Sequence, residues 1–176
     1  MLAYLTLNYI WFSNVLNMKN SIRLATKKDM KSVHNLIVEL AVFEKEPDAV
    51  EITVQNLEED GYGKQSKFTC FVVESGNEVV GAALVYKRYS TWKGEILHLE
   101  DLIVKKSMRG SGLGTVLLDE VVKYGNKMGV KRISWEVIDW NEPAIAFYEK
   151  KGANVKRDWD VVHLDENGIK NYLNNI

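Results

Sequence analysis

The chain has 176 residues with 46% hydrophobic and 27% charged content, a balance that fits a globular domain with its own core and excludes a low-complexity or disordered chain. Its net charge of -1 supplies none of the basic excess with which a nucleic-acid binder neutralises phosphates, so no nucleic-acid partner is expected. A single cysteine, Cys70, leaves no intrachain disulfide and fits a reducing cytoplasm, and His34, His98 and His163 are too scattered to suggest a metal site.

Met1 to Asn17 is apolar and aromatic, with no basic residue ahead of it and no small-residue cleavage signal. It is short for a membrane span and is broken by Asn8, Ser13 and Asn14. Met18 opens a second plausible start. Residues 1–20 are therefore read as an extension upstream of a misassigned start, with a short membrane-associated or partner-packing segment as the other reading. Residues 21–174 are expected to form one domain, without a membrane partner.

Ser21 to Ala25 alternates and predicts a short strand. Thr26 and Asp29 have the spacing of a capping box, and Val33, Leu36, Ile37, Leu40 and Ala41 recur at helical spacing up to Phe43-Glu44. A second helix is expected over Thr53 to Asp60. Thr69–Glu74 and Glu78–Tyr86 predict a hairpin through Ser75-Gly76-Asn77, with Cys70 as an inert core thiol. Glu95 to Val104 is almost continuously apolar and predicts a central strand. A helix carrying Val116, Leu117, Leu118, Val121 and Val122 follows a glycine-rich turn. Lys131 to Ile138 predicts a strand, Pro143 the first turn of a helix ending at Lys151-Gly152, and Val161 to Leu164 a last strand. The fold class is mixed α/β (α+β), with a mixed central sheet of six to seven strands flanked by helices.

The most informative segment runs from Val104 through Arg109, Gly110, Ser111, Gly112, Leu113 and Gly114 to Thr115. Its glycines let backbone N–H groups approach an anion at the start of a helix, where the dipole favours negative charge. No lysine stands between Gly114 and Thr115, which excludes a P-loop, and neither Thr115 nor Leu117 supplies the third glycine of the dinucleotide fingerprint. The pattern that fits is Arg-x-x-Gly-x-Gly at Arg109, Gly112 and Gly114. An ordinary glycine-rich turn is the bland alternative.

That segment resembles the acetyl-CoA pyrophosphate loop of the GNAT N-acetyltransferases. Glu100-Asp101-Leu102-Ile103-Val104, the run from Asn141 through Phe147-Tyr148, and Lys150-Lys151-Gly152-Ala153 agree with the same superfamily in order and spacing. Within it the chain is similar to the diamine (spermidine/spermine) and thialysine N-acetyltransferases. That narrower likeness rests on Glu39 to Glu44, Leu57 to Gly63, Trp92-Lys93-Gly94 and Trp140 to Pro143.

The resemblance implies a single GNAT fold, acetyl-CoA as co-substrate, a homodimer, and transfer of acetyl to the primary amine of a small cationic acceptor, a diamine, polyamine or thialysine-like molecule. It implies that Leu102, Ile103 and Val104 meet the pantetheine arm, that Arg109 to Thr115 hold the diphosphate, and that Asn141, Pro143, Ala144 and Tyr148 border the coenzyme further on. A primary amine has a pKa of roughly 10 and must lose a proton before it attacks, while the thiolate leaving group gains from one. Tyr148 is the candidate acid and Glu100 the candidate base, acting directly or through a water chain. The bland alternatives are a core tyrosine with its hydroxyl at the surface and an edge carboxylate paired with a lysine. Asp101 should face the opposite side of the sheet by strand alternation and be structural. Phe43, Glu44, Trp135 and Glu136 are candidate substrate residues, the last two on the strand opposite Glu100. Glu44-Lys45-Glu46 also reads as a solvated charge run. Lys156 and Arg157 depart from the family's acidic segment and oppose a long polycation. The rival readings are an acetyltransferase for a protein or peptide amine, a non-catalytic acyl-CoA-binding module and a structural dimer partner.

Overall fold

The computed structural model describes residues 20–176, and the readings of Met1–Asn17 and of the start at Met18 lie outside the described residues. Contacts divide the chain after Glu136 into two units. The first is built on a five-stranded sheet in the order β1-β2-β3-β4-β5. β1 (Ser21–Leu24), β2 (Thr69–Ser75), β3 (Glu78–Ser90) and β4 (Gly94–Val104) pair antiparallel in sequence order, whereas β5 (Ile133–Ser134) runs parallel to β4. Short turns join β2 to β3 and β3 to β4, whereas β1 reaches β2 only after residues 25–68, and the parallel partner requires the crossover through a helix.

A capping box starts α1 (Met30–Phe43): the Asp29 carboxylate accepts from the Thr26 N–H at 2.7 Å and from its hydroxyl at 2.8 Å. The same carboxylate takes two hydrogen bonds from Arg23, at 2.7 and 2.9 Å, and these hold its pKa far below the usual carboxylate range. Met30, Val33 and Leu36 bury the apolar stripe of α1 against Val72, Ala82 and Ile103 of the sheet. α2 (Val54–Tyr62), capped by Thr53, runs two residues past its expected end, and the Phe68 ring lies so close to Gly61 that a Cβ there would meet it at 2.7 Å. α3 (Leu113–Lys127) covers the other sheet face through Leu113, Leu117, Leu118 and Val121. It comes close enough to Gly81 that a Cβ there would lie 3.1 Å from Leu117. Cys70 is buried, and burial pushes its thiol up to about 12, so it is inert at neutral pH.

The second unit, residues 137–176, holds α4 (Glu142–Lys150) and α5 (Glu166–Leu173). The Asn141 side chain caps α4, accepting from the Ala144 N–H, and Asp165 caps α5 in the same way with Gly168. α5 was not expected from the apolar pattern, although Asp165-Glu166 is a start signal and Ile169, Tyr172 and Leu173 share a helical stripe.

The sheet has five strands where six to seven were expected. Val161 to Leu164 forms no strand: no ladder pairs it among the described residues, and Val162 is 88% exposed. The strand expected over Lys131–Ile138 keeps only Ile133–Ser134, because β5 makes just the pairs Leu97↔Ile133 and His98↔Ser134 before leaving β4. Among the described residues, no helix is long and apolar enough to cross a membrane.

Candidate functional site

One extra residue in β4 organises the site in the first unit. Leu84 pairs with Asp101 and Val85 with Leu99, so Glu100 is a bulge residue with no direct partner on β3. The bulge cancels the alternation expected for Asp101. Asp101 lies in the cross-strand row Cys70–Leu84–Asp101, on the sheet face that α1 covers, and Glu100 follows His98 on that face. Asp101 is therefore not turned away from Glu100. Burial first, then the charges of Glu100 and Glu44, raise its pKa from 3.8 to about 6. Glu44, the C-cap of α1, is itself raised by burial. Asp101 thus feels the negative charge of both Glu100 and Glu44 beside the bulge, an arrangement that a bound cation relieves.

Polar neighbours surround Glu100. The Tyr86 hydroxyl donates to its carboxylate, and burial followed by the Glu100 charge raises the Tyr86 pKa. His98 Nε2 stands 3.6 Å from Glu100 Oε2, and the His98 ring lies 5.0 Å from that of Tyr86. The Glu100 side chain remains 52% exposed and so is open to a ligand. Glu136 and Trp135 fall just past β5, not on it, because the strand ends at Ser134. Glu136 still acts electrostatically on both Tyr86 and His98.

Beyond Ser134, no strand among the described residues pairs with the β5-side edge of Leu99–Val104. The backbone of Leu102, Ile103 and Val104 thus has one edge in the β3 ladder and the other open. Amides of an extended ligand can complete such an edge as a further strand would. The loop after β4 is held from α1: Glu39 accepts from the Lys106 N–H, and its carboxylate lies 4.0 Å from the Arg109 guanidinium. Arg109 also donates through Nε to the Val104 carbonyl at 3.1 Å and lies over the Phe43 ring at 4.7 Å. Phe43 is thereby placed under Arg109, linking the loop to the helix that ends in Glu44. Gly110 and Gly112 take φ of 77° and 87°, and a Cβ at Gly110, Gly112 or Gly114 would meet nothing within 4 Å. The space beside these glycines at the start of α3 is therefore open. A diphosphate fits such a cradle of N–H groups.

In the second unit, Pro143 lies in the first turn of α4 and Asn141 caps it. Tyr148 is 8% exposed and packs against Phe147, with ring centroids 5.2 Å apart. The last turn closes through the Ala153 N–H bonded to the Tyr148 carbonyl, with Gly152 at φ 87°.

Tyr86, His98 and Asp101 escape selection from the sequence. Tyr86 and His98 are directly paired across β3 and β4, a register that spacing along one strand does not reveal. The alternating polar residues His98 and Glu100 inside an apolar run are the signal that was there to find.

The model of the acetyltransferase (GNAT) family matches residues 30–153. A bovine thialysine N-epsilon-acetyltransferase is 37% identical over 140 residues, covering 75% of this chain and 82% of the relative. An L-ornithine N5-acetyltransferase of Arabidopsis thaliana is 35% identical over 103 residues, covering 57% of this chain and 45% of the relative. Among solved structures, an integron cassette protein from the mobile metagenome of V. cholerae superposes with a TM-score of 0.72 at 20% identity. It covers 89% of this chain and 99% of that one, a likeness of fold.

Proposed function

Because the chain belongs to the GNAT family and is an N-acetyltransferase, we propose that it moves acetyl from acetyl-CoA to the side-chain amine of a small cationic amino acid. The observation that carries this reading is the bulge at Glu100, which sets an exposed carboxylate beside Asp101, whose own carboxyl also feels Glu44. Mutually repelling carboxyl groups favour an ammonium ion in their midst. The relatives' names add the size class, since thialysine and ornithine are both amino acids with a terminal primary amine. Lys156 and Arg157 oppose a long polycation.

Glu100 takes a proton from the ammonium, and the freed lone pair attacks the thioester carbonyl. The tetrahedral centre collapses, the C–S bond breaks, the thiolate takes a proton from Tyr148, and the second nitrogen proton, shed to solvent as the amide forms, balances the one that solvent returns to Tyr148. The open edge of Leu102–Val104 receives the pantetheine amides, and the loop Arg109 to Thr115 receives the diphosphate. Asn141, Pro143 and Ala144 border the coenzyme, while Phe43, Glu44, Trp135 and Glu136 serve the acceptor. Residues 21–174 act as one acetyltransferase domain behind the extension 1–20. We place it in the cytoplasm, as a homodimer.

The test is release of CoA thiol from acetyl-CoA with lysine, thialysine, ornithine, putrescine, spermidine, spermine and a short lysine peptide. Release with the amino acids well above that with spermine supports the proposal. Release with the peptide alone moves the enzyme to protein amines.

A further inference from the structure

Three buried polar side chains stand out among the described residues: Asp29, Ser75 and His98. Asp29 is accounted for by its bonds to Arg23 and Thr26. His98 lies next to the reacting centre proposed above. Its side chain is only 7% exposed, and an imidazole so placed in an apolar strand needs partners for both nitrogens. Nδ1 is 3.2 Å from the Ser134 hydroxyl on β5, and Nε2 is 3.6 Å from Glu100. The second distance is too long for a hydrogen bond, and a small side-chain adjustment closes it.

We infer that His98 is a positioning residue for amine deprotonation: it orients the Glu100 carboxylate through Nε2 and holds there the proton that Glu100 removes from the acceptor. This rests on the reading of Glu100 as the base. In the neutral ring the single proton sits on Nδ1 and is donated to Ser134 Oγ, leaving the Nε2 lone pair toward Glu100. The ammonium gives its proton to a Glu100 oxygen, and that proton passes to Nε2. The carboxylate is then restored opposite an imidazolium whose Nδ1–H still donates to Ser134. After acetyl transfer the proton returns to water through the exposed Glu100 oxygens.

The charged and titratable groups around His98 come from every neighbouring strand. They are Glu100 on β4, Tyr86 and Arg88 on β3, and Glu136 just past β5. Burial is the largest influence and lowers the His98 pKa; Glu100 and Glu136 raise it and Arg88 lowers it. The ring therefore starts neutral and can receive a proton, with an anion beside it to steady the charged form.

A ring that merely fills space between Tyr86 and Ser134 would behave differently. The test combines the pH dependence of acetyl transfer in the wild type and His98→Gln with an NMR titration of the His98 ring in the wild type and Glu100→Gln. The inference expects His98→Gln to lower kcat about a hundredfold while the acceptor KM moves little. The acidic limb of the kcat/KM profile should shift or vanish. It also expects Glu100→Gln to bring the His98 titration about one pH unit lower, because the stabilising anion is gone. An unchanged profile shape in His98→Gln with a uniform loss of rate overturns it, as does a His98 titration indifferent to Glu100→Gln. The NMR arm needs no turnover, so it decides the His98–Glu100 coupling even if His98→Gln does not fold. It also separates failure of the coupling from failure of the transferase reading, which an absence of acetylation with every acceptor would signal.

Discussion

Glu100 and Asp101 are neighbours in sequence with different surroundings. Glu100 projects from the bulge with half its side chain in solvent, while Asp101 is half-buried in the face that α1 covers. Glu100→Gln keeps shape and hydrogen bonding but cannot take a proton. It should lower kcat/KM by about 10² or more while leaving acetyl-CoA affinity unchanged, as equilibrium binding beside steady-state kinetics will show. Asp101 carries a stability signature with a definite sign. Its pKa rises from 3.8 to about 6 on folding, so between those values the folded chain binds more protons than the unfolded one, and stability falls as pH rises. Asp101→Asn removes that penalty. Thermal melts should show the variant gaining on the wild type from pH 4 to pH 6 and holding an advantage of about 2 kcal/mol above it. Asp29 has the opposite sign: its lowered pKa means that its contribution is present above pH 4 and lost in acid. Asp29→Ala, which breaks the capping box and the Arg23 pair, should destabilise by about 2–3 kcal/mol at pH 7 and by much less at pH 2.

At the scale of elements, the parting of β4 and β5 after two residue pairs leaves an open strand edge, and it ends where the glycine loop begins. Gly112, at φ 87° and at the N-cap of α3, sets the direction of the loop amides. Gly112→Ala meets no steric neighbour, so its effect is purely that of backbone conformation, roughly 1–2 kcal/mol. Acetyl-CoA binding should weaken about tenfold, measurable by calorimetry. Much of this frame was legible in the residues. The Thr26/Asp29 box, the stripe on α1, the β2–β3 hairpin and the α4 cap all follow from local rules, although β3 runs on to Ser90, four residues past its expected end at Tyr86. What was not legible depends on pairing between distant segments. No glycine or proline marks the bulge at Glu100; it exists because β3 and β4 slip by one residue between Leu84 and Val85. Trp135 to Ile138 and Val161 to Leu164 have strand-like composition, yet a strand needs a partner edge, and none is supplied among the described residues. The same dependence hid Asp101 and His98, whose roles follow from register, while Glu100 and the Arg109–Thr115 loop could be chosen from one stretch of chain.

For the whole molecule, a net charge of -1 conceals an uneven distribution. Carboxyl groups collect at the bulge, and the loop before α3 offers N–H groups and Arg109 to an anion. On the proposed function, this separation would draw a cationic acceptor and an anionic coenzyme to different parts of the first unit. Transfer of acetyl from acetyl-CoA to a small cationic amine can be read by incubating the purified chain with acetyl-CoA and thialysine or ornithine and measuring the acetylated amine by mass spectrometry, beside Glu100→Gln and Tyr148→Phe. Product should form at the side-chain amine with the wild type, with at least a tenfold loss in each variant. Folded wild-type protein that binds acetyl-CoA but acetylates neither amine, or variants as active as the wild type, would contradict the proposed transfer.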